Sequence, residues 1–215
     1  MCGRYMLYYE KDVIIDAFNL ENEFDYDKRF NIAPSQQVLS IIKASSGNRA
    51  GYMKWGLVPS WANDPKIGNK LMNARSETVS EKPSFKNSFV QKRCLIPASG
   101  FYEWVIEEGV SKKQPYKFTL RDKKPFAFAG IWSRWTGEVE GQQEERITCS
   151  ILTKASNDSM KKYHHRMPVM LEPNIGENWL DRSASKDKLF SILQDNNPEL
   201  FAEQVTMDLN VHRTS

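Results

Sequence analysis

The chain has 215 residues, of which 40% are hydrophobic and 12% aromatic, so it can bury a substantial core. No apolar run approaches the ~18 residues that a membrane-spanning helix requires, and the N-terminal stretch lacks the basic and apolar regions of a secretion signal. The net charge of +3 is too small for a protein that binds nucleic acid by overall charge alone. We therefore expect a cytoplasmic protein with no membrane partner.

In chain order, the sequence predicts many short strands and few helices. The strand segments are rich in β-branched and aromatic residues, whereas four other segments repeat apolar residues at helical spacing. Turn-forming residues predict hairpins at 46–48 and 108–109, and the polar stretch 136–145 predicts an exposed loop between two strands. The predicted strands are 5–9, 38–43, 50–55, 94–96, 101–106, 116–120, 126–132, 146–153 and 167–171, and the predicted helices are 11–18, 84–92, 157–163 and 185–193.

This order of elements predicts the fold class. No internal repeat and no long linker divides the chain, so we expect a single domain over residues 1–215. Strands that outnumber helices, without regular alternation of the two, are typical of an α+β protein. The expected architecture is a curved, barrel-like and mostly antiparallel β-sheet with flanking helices.

The three cysteines do not form a recognisable disulfide or metal pattern. Cys2, Cys94 and Cys149 are widely spaced, and no CxxC pair occurs. Cys94 and Cys149 lie in apolar, strand-like segments, where a free cysteine usually packs as a small core residue. We therefore expect no metal and no cofactor, and Cys2 is the cysteine left for chemistry.

Methionine aminopeptidases remove Met1 when the side chain at position 2 is small, and that of Cys2 is small enough. Cys2 then becomes the N-terminal residue. Its α-amine would have a pKa of ~7.7–8.0, and its thiol, near ~8.5, would be partly available as thiolate. An amine forms an imine with an aldehyde, and a neighbouring thiol can close that imine into a five-membered thiazolidine. The alternatives are a small residue before a strand, or the nucleophile of an N-terminal-nucleophile amidohydrolase, whose Met-Cys-Gly start this chain shares.

Several polar residues stand inside apolar or aromatic runs. Asn73 and Arg75 lie in LMNARSET, and Glu103 lies in SGFYEW. Alternation along a strand places Glu103 on the sheet face opposite its two aromatic neighbours. If that face is enclosed, the carboxylate suits acid-base work, because burial raises the pKa of a carboxyl group. An outward-facing Glu103 on an edge strand is the alternative.

A basic and aromatic set accompanies these residues. His164 and Arg166 lie in YHHRMP, where a catalytic role and a plain structural cap are both open for the histidine. Trp55 and Trp61 flank a Gly- and Pro-containing segment that reads as a loop, and loop tryptophans can stack on unpaired bases at ~1–3 kcal/mol each. Arg4 and other arginines beside the chemical candidates could hold phosphates, although ordinary core Trp and solvated Arg are the alternatives.

In combination these segments resemble the SRAP family (SOS-response-associated peptidase), the abasic-site processing proteins. The resemblance runs from the start to about residue 180, whereas 201–215 matches the family pattern poorly. His165 stands where the family commonly has an acidic residue. The segments that carry the resemblance are MCGRY (1–5), FNIAPSQ (30–36), WGLVPSWA (55–62), NARSET (73–78), RCLIPASGFYEW (93–104), FAFAGIW (126–132) and HHRMPV (164–169).

The resemblance implies a covalent, reversible thiazolidine crosslink between Cys2 and the open-chain aldehyde of an abasic site in single-stranded DNA. In this scheme Asn73 positions the Cys2 amine, Glu103 is the general acid-base, and His164 assists proton transfer during lyase-like Schiff-base formation. The protein would act as a monomer, associated with the nucleoid when bound to DNA. A thiol peptidase that cleaves before Cys2 is the alternative that the family name suggests. The implied DNA-binding residues are Arg4, Asn31, Pro34, Trp55, Trp61, Arg75 and Arg166.

Overall fold

The computed structural model describes residues 2–106 and 113–206, which form a mixed α+β fold. The strands form two sheets, one of five strands in the order β13-β8-β7-β1-β2 and one of eight strands. Their bounds are β1 (Arg4–Leu7), β2 (Arg29–Ile32), β3 (Gln37–Ala44), β4 (Gly47–Trp55), β5 (Asn73–Arg75), β6 (Arg93–Ala98), β7 (Gly100–Val105), β8 (Gln114–Leu120), β9 (Phe126–Val139), β10 (Gln142–Ala155), β11 (Arg166–Pro168), β12 (Met170–Leu171) and β13 (Leu200–Gln204).

The larger sheet closes on itself. Its hydrogen-bonded path runs β10-β4-β3-β6-β9, and β9 pairs again with β10, so these five strands make a barrel. Among the strand pairings of the described residues, only those of β10 with β4 and of β10 with β5 are parallel, and the others are antiparallel. The predicted fold class, α+β on a barrel-like and mostly antiparallel sheet with flanking helices, is therefore confirmed.

Five α-helices and one 3-10 helix (Pro65–Lys70) pack around the sheets in the described part of the chain. Asn157 and Ser185 cap two of the helices, because each side chain accepts a backbone N–H three residues ahead. The sequence did not predict the helix that starts at Pro173, since its interior Gly176 and polar residues weaken the helical pattern. The helices are α1 (Lys11–Phe18), α2 (Lys86–Gln91), α3 (Asp158–Lys161), α4 (Pro173–Leu180) and α5 (Lys186–Asp195).

The predicted loop over 136–145 is wrong, because this stretch is the end of a long hairpin. Strands β9 and β10 each have 14 residues and pair up to Val139 and Gln142. Glu140 and Gly141 both have positive φ, as a two-residue hairpin turn requires. The stretch is polar because the hairpin extends into solvent. The hairpin predicted at 46–48 is confirmed by the pairing of β3 with β4, and the one predicted at 108–109 lies outside the described residues.

The core fills the barrel and the space between the barrel and the smaller sheet. Cys94 on β6 and Cys149 on β10 are both fully buried within it, which confirms their predicted role as small core residues. Burial raises the pKa of both thiols. Within residues 2–106 and 113–206, no helix is both long and apolar enough to cross a membrane.

Candidate functional site

Cys2 is held at the base of the site by a residue distant in sequence. The side-chain Nδ2 of Asn73 donates a hydrogen bond of 2.9 Å to the carbonyl oxygen of Cys2. Asn73 begins β5, which runs parallel to β10 with Asn73 opposite Ile151. The Asn73 Oδ1 is buried and accepts no hydrogen bond from the described residues. One amide therefore fixes the Cys2 backbone and keeps an acceptor available beside it.

Glu103 lies next to Cys2 on the enclosed side of the smaller sheet. Strand β7 pairs with β1 so that Tyr102 is opposite Arg4, and Glu103 follows as the next residue. Its side chain is 5% exposed, so the enclosed face that the sequence suggested is the one observed. A buried carboxylate beside a thiol provides an acid-base group within the same environment.

With Met1 still attached, the Cys2 thiol lies in a desolvated environment. Cys2 is fully buried, and this burial raises the pKa of its thiol well above the usual range. The neighbouring Glu103 carboxylate raises that pKa further, while a hydrogen bond from the Arg4 backbone acts in the opposite direction. The prediction of a partly ionised thiol concerns Cys2 after Met1 removal and stays a prediction.

His164 follows helix α3 and is fixed by the backbone of the next strand. The His164 Nδ1 lies 2.9 Å from the backbone nitrogen of Arg166, which donates to it in one tautomer, and 3.0 Å from the Arg166 carbonyl oxygen, to which it donates in the other. Tyr163 packs against Tyr116 with ring centroids 5.0 Å apart, and Tyr116 is the register partner of Glu103. This packing brings the α3 end, and with it His164, to the side of the sheet that carries Glu103.

His165 stacks on His164 with ring centroids 4.5 Å apart. Its pKa is lowered chiefly by His164, with smaller contributions that include Arg166 and Arg75. The proximity of these cationic groups disfavours a second proton on the exposed His165 ring. Four basic side chains therefore lie close enough to influence one another, and position 165 is a histidine rather than a carboxylate. They are Arg75, His164, His165 and Arg166.

Arg166 is bound within the protein and does not present an open phosphate contact. It is 8% exposed, and its two terminal nitrogens donate to the two carboxylate oxygens of Glu77 at 2.6 and 2.9 Å. It also donates to the carbonyl of Thr153 at 2.7 Å. In this structure Glu77 compensates the charge of Arg166, and the direct phosphate contact expected of Arg166 stays a prediction. Glu77, which the sequence analysis missed, lies in the same NARSET segment as Asn73 and Arg75.

The other two predicted arginines differ in their surroundings: Arg4 is hydrogen-bonded to Asn31, and Arg75 is exposed. Arg4 on β1 donates from Nη1 to the Asn31 Oδ1 at 3.0 Å, which joins two of the predicted DNA-binding residues. Arg75 is exposed at the end of β5, opposite Thr153, and makes no ion pair with the residues that the structure describes. Pro34 is half-buried in the turn that follows Asn31. Arg75 is thus the exposed cation nearest along the chain to Asn73.

The two tryptophans differ in environment. Trp55 ends β4, is 1% exposed, and donates from Nε1 to the carbonyl of Met72 at 2.8 Å. Its ring meets Tyr5 edge-on at 5.5 Å, so the expectation that it stacks on a base from a loop is wrong. Trp61 is 56% exposed in the loop before the 3-10 helix. Only Trp61 of this pair is open to a ligand.

The structure therefore brings the predicted residues together around the ends of β5 and β7. Asn73 and Glu103 flank Cys2, and Arg75 lies two residues beyond Asn73 on the same strand. The residues of this site come from β1, β5, β7, β11 and the α3 end. It contains a thiol, a buried carboxylate, an imidazole and an exposed guanidinium, a set of groups that suits addition chemistry on an anionic substrate.

Comparison with known proteins identifies the family of this chain. A model of the SOS response associated peptidase (SRAP) family matches residues 1–212. The abasic site processing protein YoaM of Bacillus subtilis is 44% identical over 197 residues, covering 90% of this chain and 85% of that protein. The abasic site processing protein YedK of Escherichia coli is 29% identical over 191 residues, covering 86% and 82%.

The fold is also similar to solved structures. A crystal structure of a protein from Bacteroides thetaiotaomicron superposes with a TM-score of 0.83 at 26% identity, covering 95% of this chain and 92% of that chain. The family match extends over the segments that supply Cys2, Asn73, Glu103 and His164. The chain therefore belongs to the SOS response associated peptidase (SRAP) family.

Proposed function

We propose that this protein processes abasic sites in the DNA damage response, by forming a reversible thiazolidine crosslink between Cys2 and an abasic site in single-stranded DNA. The observation that carries the proposal is the 2.9 Å hydrogen bond by which Asn73 holds Cys2 beside the buried Glu103. The relatives YoaM and YedK bear the name abasic site processing protein, which supports the choice of an abasic sugar as the aldehyde.

The chemistry requires both groups of an N-terminal Cys2. Removal of Met1 exposes the α-amine, which attacks the aldehyde carbon of the ring-opened sugar and yields an imine with loss of one water. The thiol sulfur then adds to the imine carbon, and the thiol proton passes to the nitrogen. The product is a thiazolidine, so aldehyde plus aminothiol balances to thiazolidine plus water.

Glu103 and His164 supply the proton transfers in this scheme. Glu103 would take the proton of the C1′ hydroxyl as the sugar ring opens and pass it to the ring oxygen, whose bond to C1′ breaks, and it would relay protons in the reverse direction when the crosslink reverses. His164 would supply a proton from Nε2 in the tautomer in which its Nδ1 accepts the Arg166 N–H. That proton is available to the oxygen that leaves as water during imine formation.

Capture by the thiol would protect the strand. An imine at the sugar carbon promotes β-elimination of the 3′ phosphate, and consumption of the imine by sulfur prevents this break. Ser or Thr at position 2 would supply a poorer nucleophile for this step. The proposal thereby accounts for a cysteine at this position.

Phosphate binding is assigned to the exposed cations. Arg75 carries a guanidinium without an ion pair among the described residues, two positions from Asn73. Arg4, held by Asn31, would bind a second phosphate. Arg166 would act indirectly, because its pairing with Glu77 and Thr153 joins β11 to the end of β5.

A crosslinker and a thiol peptidase would use the Cys2 thiol at different stages of the reaction. A peptidase nucleophile acts as thiolate and needs a lowered pKa, whereas burial and Glu103 raise this one. In the crosslinking scheme the amine attacks first, and the thiol adds to an imine that is already activated. The first step therefore does not depend on a thiolate.

The test mixes purified protein with a single-stranded oligonucleotide that contains one abasic site. We expect an adduct that survives denaturation and that is absent with an intact oligonucleotide. Cys2→Ala should abolish the stable adduct, and Cys2→Ser should give only an imine that requires borohydride trapping. If Cys2→Ala crosslinks as well as the wild type without reduction, the thiazolidine mechanism is wrong.

A further inference from the structure

A polar cavity lies beside the exposed Trp61, between the loop that carries this residue and helix α2. It has a volume of about 130 Å³. Residues 59–61 supply one wall, residues of the range 83–92 supply the other, and Ser133 of β9 also lines it. The Trp61 Nε1 donates to the carbonyl oxygen of Pro83 at 3.4 Å, which joins the two walls. Apart from Trp61, the sequence analysis assigned no function to these residues.

The cavity is lined by hydroxyl and amide groups whose hydrogen-bonding capacity is unused within the protein. Six such side chains form no hydrogen bond with the residues that the structure describes. Ser88 and Ser133 are only 6% and 4% exposed, and buried hydroxyl groups nearly always have a partner. Their capacity is therefore left for a molecule in the cavity. The six residues are Ser60, Ser84, Asn87, Ser88, Gln91 and Ser133.

The charge of the lining favours a neutral ligand that is rich in hydrogen-bond acceptors. Among the described residues of the lining, Lys92 is the one charged residue, and its ammonium lies 5.3 Å from the centre of the Trp132 ring. A single cation without a carboxylate neither attracts a cationic ligand nor requires a polyanion. The ammonium, the hydroxyls and the amide nitrogens all supply donors, so carbonyl oxygens on the ligand would find partners.

The walls of the cavity are held by the barrel. Trp135 of β9 donates from Nε1 to the carbonyl oxygen of Ala62 at 2.7 Å, and the N–H of Val58 donates to the Thr148 Oγ1 at 2.8 Å. These two bonds fix the loop on either side of Trp61. On the opposite wall, the fully buried Phe89 anchors α2. The cavity is therefore preformed, which lowers the entropic cost of binding.

We propose that this cavity binds one unpaired pyrimidine base. Trp61 supplies an exposed aromatic ring on which a base can stack. Asn87 and Gln91 each supply a donor and an acceptor, which can pair with the edge of a base. A cavity of about 150 Å³ in another protein accommodates benzene, so the volume of about 130 Å³ fits a single six-membered ring better than a fused purine.

The base can belong to single-stranded DNA or to a free nucleoside, because both present the same ring and the same edge. Binding in this cavity requires neither an abasic site nor any contact between the bound strand and Cys2. The site would therefore exist whether or not the protein crosslinks DNA.

The first experiment tests the ligand class with fluorotryptophan-labelled protein, in which the six tryptophans are followed by fluorine NMR. The Trp61 signal is identified by its absence in Trp61→Phe. We expect thymidine to shift this signal, deoxyadenosine to shift it less at equal concentration, and deoxyribose to leave it unchanged. No shift with thymidine would overturn the site. An equal shift with deoxyribose would overturn a base as the ligand, and an equal shift with deoxyadenosine would overturn the preference for a pyrimidine.

The second experiment tests the amide wall with Asn87→Ala/Gln91→Ala, two exposed positions of α2. The matched control is Val90→Ala/Gln194→Ala, which changes two exposed helical residues outside the cavity and leaves the net charge unaltered. Thymidine affinity should fall about fivefold or more in the amide variant, as expected for loss of an edge contact, and stay at the wild-type value in the control. Unchanged affinity in the amide variant, or equal losses in both, would overturn a direct contact by these amides.

The third experiment identifies the source of the base by anisotropy with thymine and adenine oligonucleotides of equal length. If the base comes from DNA, the wild-type preference for the thymine strand should fall in the amide variant and persist in the control. An unchanged preference together with thymidine binding would support the site with a free nucleoside as its ligand. These strands contain no abasic site, so failure of the wild type to crosslink an abasic oligonucleotide would refute the proposed function and leave this test intact.

Discussion

The side-chain amide of Asn73 holds the carbonyl oxygen of Cys2 at 2.9 Å, although 71 residues separate the two in the chain. This hydrogen bond orients the residue proposed to carry both reacting groups, while the Oδ1 of the same amide is buried and accepts no hydrogen bond from the described residues. The orientation of Cys2 is therefore set by the position of β5 against β10, and not by residues next to it.

Asn73→Ala should slow crosslinking without weakening the binding of intact DNA. A typical hydrogen bond contributes ~0.5–1.5 kcal/mol, so loss of the positioning bond alone predicts a rate reduction of about tenfold. The measurement is the time course of adduct formation on a gel, with anisotropy on an intact oligonucleotide as the second readout. Equal losses in rate and in DNA binding would show that Asn73 acts on the fold rather than on Cys2.

Glu103→Gln should slow reversal of the adduct, because the amide keeps the shape of the carboxylate but cannot exchange a proton. Release is measured by transferring the protein from preformed adduct to an excess of competing abasic oligonucleotide. Mass spectrometry must first show that the variant has lost Met1. Release at the wild-type rate would remove Glu103 from the acid-base role.

The pair of Glu77 and Arg166 should make stability sensitive to acid. Hydrogen bonding from Arg166 lowers the pKa of Glu77 below its usual 4.5. A carboxyl group whose pKa is lower in the folded than in the unfolded state stabilises the fold. This stabilisation is complete above the pKa of the unfolded state and is lost as the pH falls through the pKa of the folded state. Urea unfolding between about pH 3 and about pH 7 should therefore show a smaller loss of unfolding free energy in acid for Glu77→Gln than for the wild type.

At neutral pH, Glu77→Gln should itself be less stable than the wild type, because it leaves the buried Arg166 charge uncompensated. We expect a loss of about 1–3 kcal/mol in the free energy of unfolding. Glu81→Gln is a suitable control, since Glu81 is exposed and makes no ion pair with residues in the described part of the chain. Equal stability of Glu77→Gln and Glu81→Gln would contradict the importance of the pair.

The two tryptophans should give opposite phenotypes. Trp61→Ala should weaken binding of single-stranded DNA by ~1–3 kcal/mol, the range for one base stacked on an aromatic ring, and leave thermal unfolding unchanged. Trp55→Ala should lower the free energy of unfolding by ~3–5 kcal/mol, because it empties a buried ring site. If Trp61→Ala binds DNA normally, its exposed ring does not take part in the interface.

Much of the local structure was predictable from the sequence. Asn157 and Ser185 were recognisable as residues at helix starts, because capping depends on a side chain and the backbone within one turn. The positions of Cys94 and Cys149 in buried strands followed from their apolar neighbours. The stretch 136–145 was misread because a hairpin that projects into solvent has polar residues on both faces, which removes the alternation that identifies a strand.

The sequence by itself determined which residue types could do the chemistry: an aminothiol at position 2 and a carboxylate, an amide and an imidazole within recognisable segments. Only the tertiary structure decided how each of them is used. Asn73 reaches Cys2, Glu77 neutralises Arg166 across 89 positions, and Trp55 enters the core while Trp61 stays exposed. These outcomes depend on strand pairing between distant segments, and burial and charge compensation arise from such contacts rather than from neighbouring residues in the chain.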